Sequence, residues 1–125
     1  MDIHKLKNIY FVGIGGIGMS ALARYFHAAN VQVSGYDKTL SSLTRELENE
    51  GIPIHYEAND MLIPEHCDLV IYTPAVPSDF EEWETIYSRN IPYIKRSEAL
   101  ALICKGKKSI AVAGTHGKTT VTAMI

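Results

Sequence analysis

The chain is expected to fold as an α/β domain built on a doubly wound, five-stranded parallel sheet of strand order 3-2-1-4-5. Three observations carry that expectation. Short apolar runs alternate with helical patterns along the whole chain. The first run, Asn8-Ile9-Tyr10-Phe11-Val12, passes at once into Gly13-Ile14-Gly15-Gly16-Ile17-Gly18 and then into Met19, Leu22, Phe26 and Ala29 at helical spacing. The second run, Val31-Gln32-Val33-Ser34-Gly35-Tyr36, ends on the acid Asp37.

The remaining elements follow in order. Leu43 and Leu47, with charged residues between them, give a short second helix closed near Gly51. Ile52-Pro53-Ile54-His55-Tyr56 is a third strand near an edge, because Pro53 cannot donate to a ladder. Asp68-Leu69-Val70-Ile71-Tyr72-Thr73 is an inner strand stopped by Pro74 and Pro77. Ser78 with Glu81 forms a capping box for a helix running to about Ser88, and Glu81, Glu82 and Glu84 read as its solvated face. Ile91-Pro92-Tyr93-Ile94 is the fifth strand. Ser97 caps a last helix from Glu98 to about Cys104, with Leu100, Ala101 and Ile103 buried and Gly106 at its end. Strands joined by helical crossovers must run parallel, with helices on both faces.

Strand, G-x-G-x-x-G, helix and a following acid together mark a Rossmann-like nucleotide site. Gly13 permits the tight turn, Gly15 lets a diphosphate approach the backbone, and Gly18 lets helix and strand pack closely. The helix N-terminus offers free N–H groups and partial positive charge to an anion. Ligands of such sheets sit at the carboxyl ends of the strands, where the strand order reverses. That rule gathers Gly13, Gly15, Gly16, Ile17, Gly18, Asp37, Thr73 and Ala75 around one crevice. From these residues alone, a tight turn with a capping Asp37 and a dinucleotide site for NAD both remain open.

A second loop, Gly114-Thr115-His116-Gly117-Lys118-Thr119-Thr120, follows the apolar run Ser109-Ile110-Ala111-Val112-Ala113. Gly-Lys-Thr after a strand wraps backbone N–H groups around a triphosphate, with Lys118 on the outer phosphates and the Thr119 hydroxyl on Mg²⁺. His116 contributes its backbone N–H to that cradle. A dehydrogenase has no use for such a loop, and a nucleotide-sensing module leaves Lys118 without work. Only Val121-Thr122-Ala123-Met124-Ile125 follow, so the chain reads as the front end of a longer enzyme: residues 1–106 a Rossmann-like domain, 107–125 the start of a second domain with its own phosphate loop. The apolar strand Ile110–Ala113, with unpaired edges, is expected either to be the least ordered part of the chain or to be held by a neighbouring copy in a homo-oligomer.

Composition narrows the class. The 125 residues carry a formal charge of −2 and are 46% hydrophobic, which suits one packed domain and gives no general attraction to nucleic acid or anionic lipid. No apolar run reaches ~18 residues, and the N-terminus lacks the apolar stretch expected of a signal peptide. Cys67 and Cys104 form no C-x-x-C, so a reduced, cytoplasmic setting with buried or inert thiols is expected. Arg96, after a strand tip, is placed equally well for a phosphate or for a surface ion pair. Trp83, beside Phe80 and Tyr87, is read as a packing residue.

Two phosphate loops in this order resemble the Mur ligases. The likeness rests on Val12-Gly13-Ile14-Gly15-Gly16-Ile17-Gly18-Met19-Ser20 and Ala111-Val112-Ala113-Gly114-Thr115-His116-Gly117-Lys118-Thr119-Thr120, with Val33-Ser34-Gly35-Tyr36-Asp37 and Lys95-Arg96-Ser97-Glu98-Ala99-Leu100 in support. It covers nearly the whole chain but only the first of that family's three domains. Val112 stands where the general P-loop has glycine, so the family's shorter Gly-Thr-x-Gly-Lys-Thr form applies. The strand-4 tip Thr73-Pro74-Ala75-Val76 departs from the paired serines of many relatives. The resemblance implies that residues 1–106 are a Rossmann-like UDP-sugar-binding domain and 107–125 the start of the central ATP-binding domain, that Gly15 to Gly18 cradle the diphosphate of UDP-N-acetylmuramic acid and that Asp37 holds its uridine. It implies ATP and Mg²⁺ on the second loop, phosphoryl transfer to the muramoyl carboxylate with Lys118 stabilising charge, and attack by L-alanine on the acyl phosphate.

Overall fold

The computed structural model describes residues 5–106. The strand Ile110–Ala113, the loop Gly114–Thr120 and the boundary of a second domain lie outside the described residues.

Five strands form one parallel sheet: β1 Asn8–Val12, β2 Gln32–Tyr36, β3 Ile54–His55, β4 Leu69–Tyr72 and β5 Tyr93–Lys95. Their spatial order is β3-β2-β1-β4-β5, and every pair is parallel. The expected topology is therefore the observed one. Around the sheet run α1 Ile17–Ala28, α2 Ser42–Asn49, α3 Glu82–Ser88 and α4 Arg96–Gly106, with a short 3-10 turn at Asp60–Leu62. Among the described residues no helix is long and apolar enough to cross a membrane.

Period-two alternation on the central strands sorts the core into two layers. Ile9 and Phe11 of β1, with Leu69 and Ile71 of β4, face Met19, Leu22, Ala23 and Phe26 of α1, Leu47 of α2 and Ala99 of α4. Tyr10, Val12 and Val70 point the other way, onto Trp83 and Ile86 of α3 and Ile63 and Ile91. Helices thus cover both faces, and Trp83 packs as expected. Three of the positive-φ residues sit where helices end: Asn30 and Asn90 follow α1 and α3, and Gly51 (φ +100°) follows α2.

The structure corrects several local expectations. The Ser78/Glu81 capping box is absent: turns closed by Phe80 N–H to Pro77 O and Trp83 N–H to Phe80 O occupy the approach, and α3 starts at Glu82. A reciprocal capping box forms instead at Ser41 and Thr44 of α2. The last helix begins at Arg96, directly after β5, and the Glu98 carboxylate accepts the Lys95 N–H at 2.9 Å. Ser97 is therefore inside the first turn, and Ala101 is exposed. Cys104 is exposed as well, whereas burial pushes the Cys67 thiol up to about 11.

The largest correction concerns Glu82, which is fully buried rather than solvated. Its carboxylate accepts the Tyr10 hydroxyl and the Asn59 N–H (2.7 Å) and meets His55 Nε2 at 2.8 Å. His55 Nε2 also lies 3.1 Å from the Tyr10 oxygen. Burial first, and then the adjacent Glu82 charge, push the Tyr10 hydroxyl well above its usual range, so it stays a donor. This cluster ties β1, edge strand β3, the following loop and α3 together.

Candidate functional site: a glycine loop at the switch point

The carboxyl ends of β1 and β4 are adjacent, and from them the chain departs to opposite sides of the sheet. The glycine loop leaves β1 at this point. Gly13 takes φ +90° and donates to Tyr36 O at 2.7 Å, while Ile14 N–H reaches the same carbonyl at 3.0 Å. A side chain at Gly13 would be strained by that φ and would also strike the Thr73 methyl at 2.4 Å. The β4 tip folds back as a turn, with Val76 N–H on Thr73 O at 3.1 Å, and Val76 also borders Gly13.

Asp37 closes the other flank. Its Oδ2 accepts the Gly15 N–H at 2.7 Å and its Oδ1 accepts the Thr39 N–H at 2.9 Å. Asp37 thus holds the loop and caps a turn at once, and lone pairs on both oxygens remain for a hydroxyl donor. A Cβ on Gly15 would fall 2.7 Å from Asp37 Oδ2 and 2.8 Å from the Thr44 methyl. In this structure the absent side chain at Gly15 makes room for Asp37 and Thr44. Thr44 carries no sequence signal for the site, because its approach depends on how α2 packs.

Gly16 and Ile17 form the open mouth. Gly16 is the N-cap of α1 and provides no side-chain cap, and the first turn contains no acid. The leading N–H groups of a twelve-residue helix are thus left without a protein anion. A Cβ on Gly16 would meet nothing nearer than 3.9 Å, and Ile17 is 85% exposed. At Gly18 the neighbour is Arg96: a Cβ there would lie 3.0 Å from both Cδ and Nη1 of the arginine.

The sequence-flagged residues Gly13, Gly15, Gly16, Ile17, Gly18, Asp37 and Thr73 therefore come together. Ala75 is exposed in the β4 tip. A separate cleft at the opposite end of the sheet, lined by Asn30, Val33, Ser34, Pro53 and Pro64 among others, contains none of them.

An uncapped helix start, a glycine loop and an acid on the adjoining strand, all at a switch point, are features of a Rossmann-like α/β domain. Comparison makes the class specific. Residues 8–108 match the family model described as "Mur ligase family, catalytic domain", and the chain belongs to that family. It is 53% identical over 129 residues to the UDP-N-acetylmuramate–L-alanine ligase of Flavobacterium johnsoniae, covering 100% of this chain and 29% of that protein. The enzyme of the same name from Christiangramia forsetii is 48% identical, with 99% and 29% covered. The chain thus spans under a third of the length of these curated relatives. Among solved structures, the UDP-N-acetylmuramate–alanine ligase of Thermotoga maritima matches with a TM-score of 0.71 and 34% identity, over 94% of this chain and 27% of that one. The UDP-N-acetylmuramate:L-alanyl-gamma-D-glutamyl-meso-diaminopimelate ligase of Neisseria meningitides matches with a TM-score of 0.65 and 27% identity, over 73% and 29%.

Proposed function

We propose that this chain is the UDP-binding end of an ATP-dependent ligase that joins L-alanine to the carboxylate of UDP-N-acetylmuramic acid, a step of peptidoglycan precursor synthesis. The observation that carries the reading is the uncapped start of α1 beside Gly16 and Ile17, with Asp37 on its flank. A diphosphate lies on the free N–H groups, and a ribose hydroxyl donates to Asp37. Relatives of the same name at 53% and 48% identity favour alanine as the amine over the peptide named for the Neisseria protein.

The second half of the chemistry rests on Gly114, Thr115, His116, Gly117, Lys118, Thr119 and Thr120. They would hold ATP, with Thr119 on Mg²⁺, and the bound nucleotide supplies the phosphoryl group that turns the carboxylate oxygen into a leaving group. Lys118 neutralises charge as that group moves. The residues that place the carboxylate and L-alanine belong to the remainder of a chain of the relatives' length. The 125-residue chain alone is therefore expected to bind the UDP-sugar without turnover, in the cytoplasm where ATP and nucleotide sugars meet.

Calorimetry with UDP-N-acetylmuramic acid, UDP and NADH tests the reading. Binding of the first two and not NADH is expected; a preference for NADH would overturn it. Phosphate release with ATP, Mg²⁺, L-alanine and the sugar should stay at background, and stoichiometric ligation by this chain would contradict the division of labour.

Gly16→Ala separates ligand binding from folding. Its φ of −69° and ψ of 156° suit any residue, and the added methyl makes only ordinary contacts. The fold should keep its stability to within about 1 kcal/mol, while UDP-sugar affinity falls by roughly 1–3 kcal/mol as the diphosphate is held off the helix N–H groups. Unchanged affinity would put the ligand elsewhere. Asp37→Ala should cost about 1–3 kcal/mol of UDP affinity through the lost ribose bond. Equal binding by wild type and variant would leave Asp37 a purely structural cap.

A further inference from the structure

Arg96 stands against the wrong end of a helix. Its guanidinium lies over Gly18, in the first turn of α1, where the helix dipole is positive. Neither the first turn nor the N-cap offers a carboxylate there. The nearest acid in sequence, Glu98, is turned back onto the Lys95 N–H. Among the described residues the ion pairs are Arg24 with Glu46 and Glu50, and His55 with Glu82; no carboxylate lies within ion-pair distance of Arg96. A cation facing a positive helix end raises the energy of the empty site and lowers it once an anion sits between them.

The seat for that side chain is built. Arg96 opens α4 directly after β5, so its backbone is fixed by two elements. Its stem crosses Gly18 closely: a Cβ there would lie 3.0 Å from Cδ and Nη1, tight enough that the arginine would have to shift to make room for it. The last glycine of G-x-G-x-x-G thus clears the path for an arginine from the far end of the domain. On the opposite flank Asp37 presents a carboxylate beside Gly15. The loop is therefore polarised, with an acceptor for hydroxyl groups on one side and a forked cation on the other.

We infer that Arg96 is a phosphate-binding residue of the glycine-loop site, pairing with the diphosphate and setting the ligand's direction, phosphates toward α4 and ribose toward Asp37. The inference rests on the UDP-binding reading above. Arginine suits the role because its planar fork donates two parallel bonds to phosphate oxygens, which lysine cannot reproduce.

The test titrates UDP and uridine into the 125-residue chain as wild type, Arg96→Gln and Arg96→Lys, with calorimetry for UDP and NMR shifts for uridine. R96Q should bind UDP about 10- to 100-fold more weakly, with a shallower dependence on salt, and bind uridine as wild type does. R96K should recover part of the UDP affinity. Arg96 is exposed, so thermal unfolding should not change. UDP affinity within twofold in R96Q, or equal losses for UDP and uridine, would overturn the role of Arg96 while leaving the site standing. Wild-type protein that binds neither ligand would remove the site and this proposal with it.

Discussion

In a ligase of the relatives' full length carrying this sequence, Lys118→Ala should lower the ligation rate about 10²–10³-fold, and further if metal placement also fails. Affinity for the UDP-sugar should stay within a few-fold of wild type. On the proposed function, the two loops serve two different nucleotides. In sequence the glycine loop Gly13 to Gly18 and the loop Gly114 to Thr120 are separated by four of the five strands, β2 to β5. Charge on a transferring phosphoryl group exists only once ATP is engaged, so Lys118 has no counterpart to stabilise when the sugar binds alone. Rate and sugar affinity are measured side by side on both proteins. Activity within a few-fold would show that the second loop is not the ATP site. A parallel collapse of sugar affinity would show that the two loops serve one ligand.

Glu82→Ala should destabilise the domain by roughly 3–5 kcal/mol, the scale of removing a buried carboxylate that several groups bond to at once. The truncation takes the carboxylate partner at once from the buried Tyr10 hydroxyl, the half-buried His55 Nε2 and the Asn59 N–H. It also leaves a void where a fully buried side chain stood. Against a total stability of about 5–15 kcal/mol, that loss approaches unfolding. Glu82→Gln keeps an acceptor oxygen and should cost less, about 1–3 kcal/mol. Urea denaturation of the three proteins decides the matter. A loss below about 1 kcal/mol for the alanine variant would show that the cluster is incidental. The glycine loop lies at the other end of β1 from Asn8, only a few residues beyond Tyr10, so partial loss of ligand binding should accompany the destabilised variant.

What the sequence made legible follows from how local each signal is. The central strands read clearly because β1 and β4 are buried on both faces and are apolar without interruption. The glycine loop read clearly because turn, strand and helix are contiguous. Asp37 was found because it closes the strand beside that loop. The failures share a cause, which is contact across long sequence distance. Glu82 looks solvated among Glu81 and Glu84, and only the arrival of Tyr10 and His55 turns it inward. Thr44 reaches Gly15 only because α2 packs beside the loop. Arg96 meets Gly18 only because the sheet order carries α4 alongside α1. Ser78 satisfies a capping pattern in sequence, yet the turns from Pro77 to Trp83 leave that pattern unused.

The central claim is that the open start of α1 receives the diphosphate of a UDP-sugar. Titrating UDP-N-acetylmuramic acid into the ¹⁵N-labelled 125-residue chain and following amide shifts tests it most directly. The account predicts the largest changes at Gly15, Gly16, Ile17 and Gly18, with smaller ones at Asp37, Thr73 and Arg96. Changes centred instead on Asn30, Val33 and Ser34, in the cleft at the opposite end of the sheet, would contradict it.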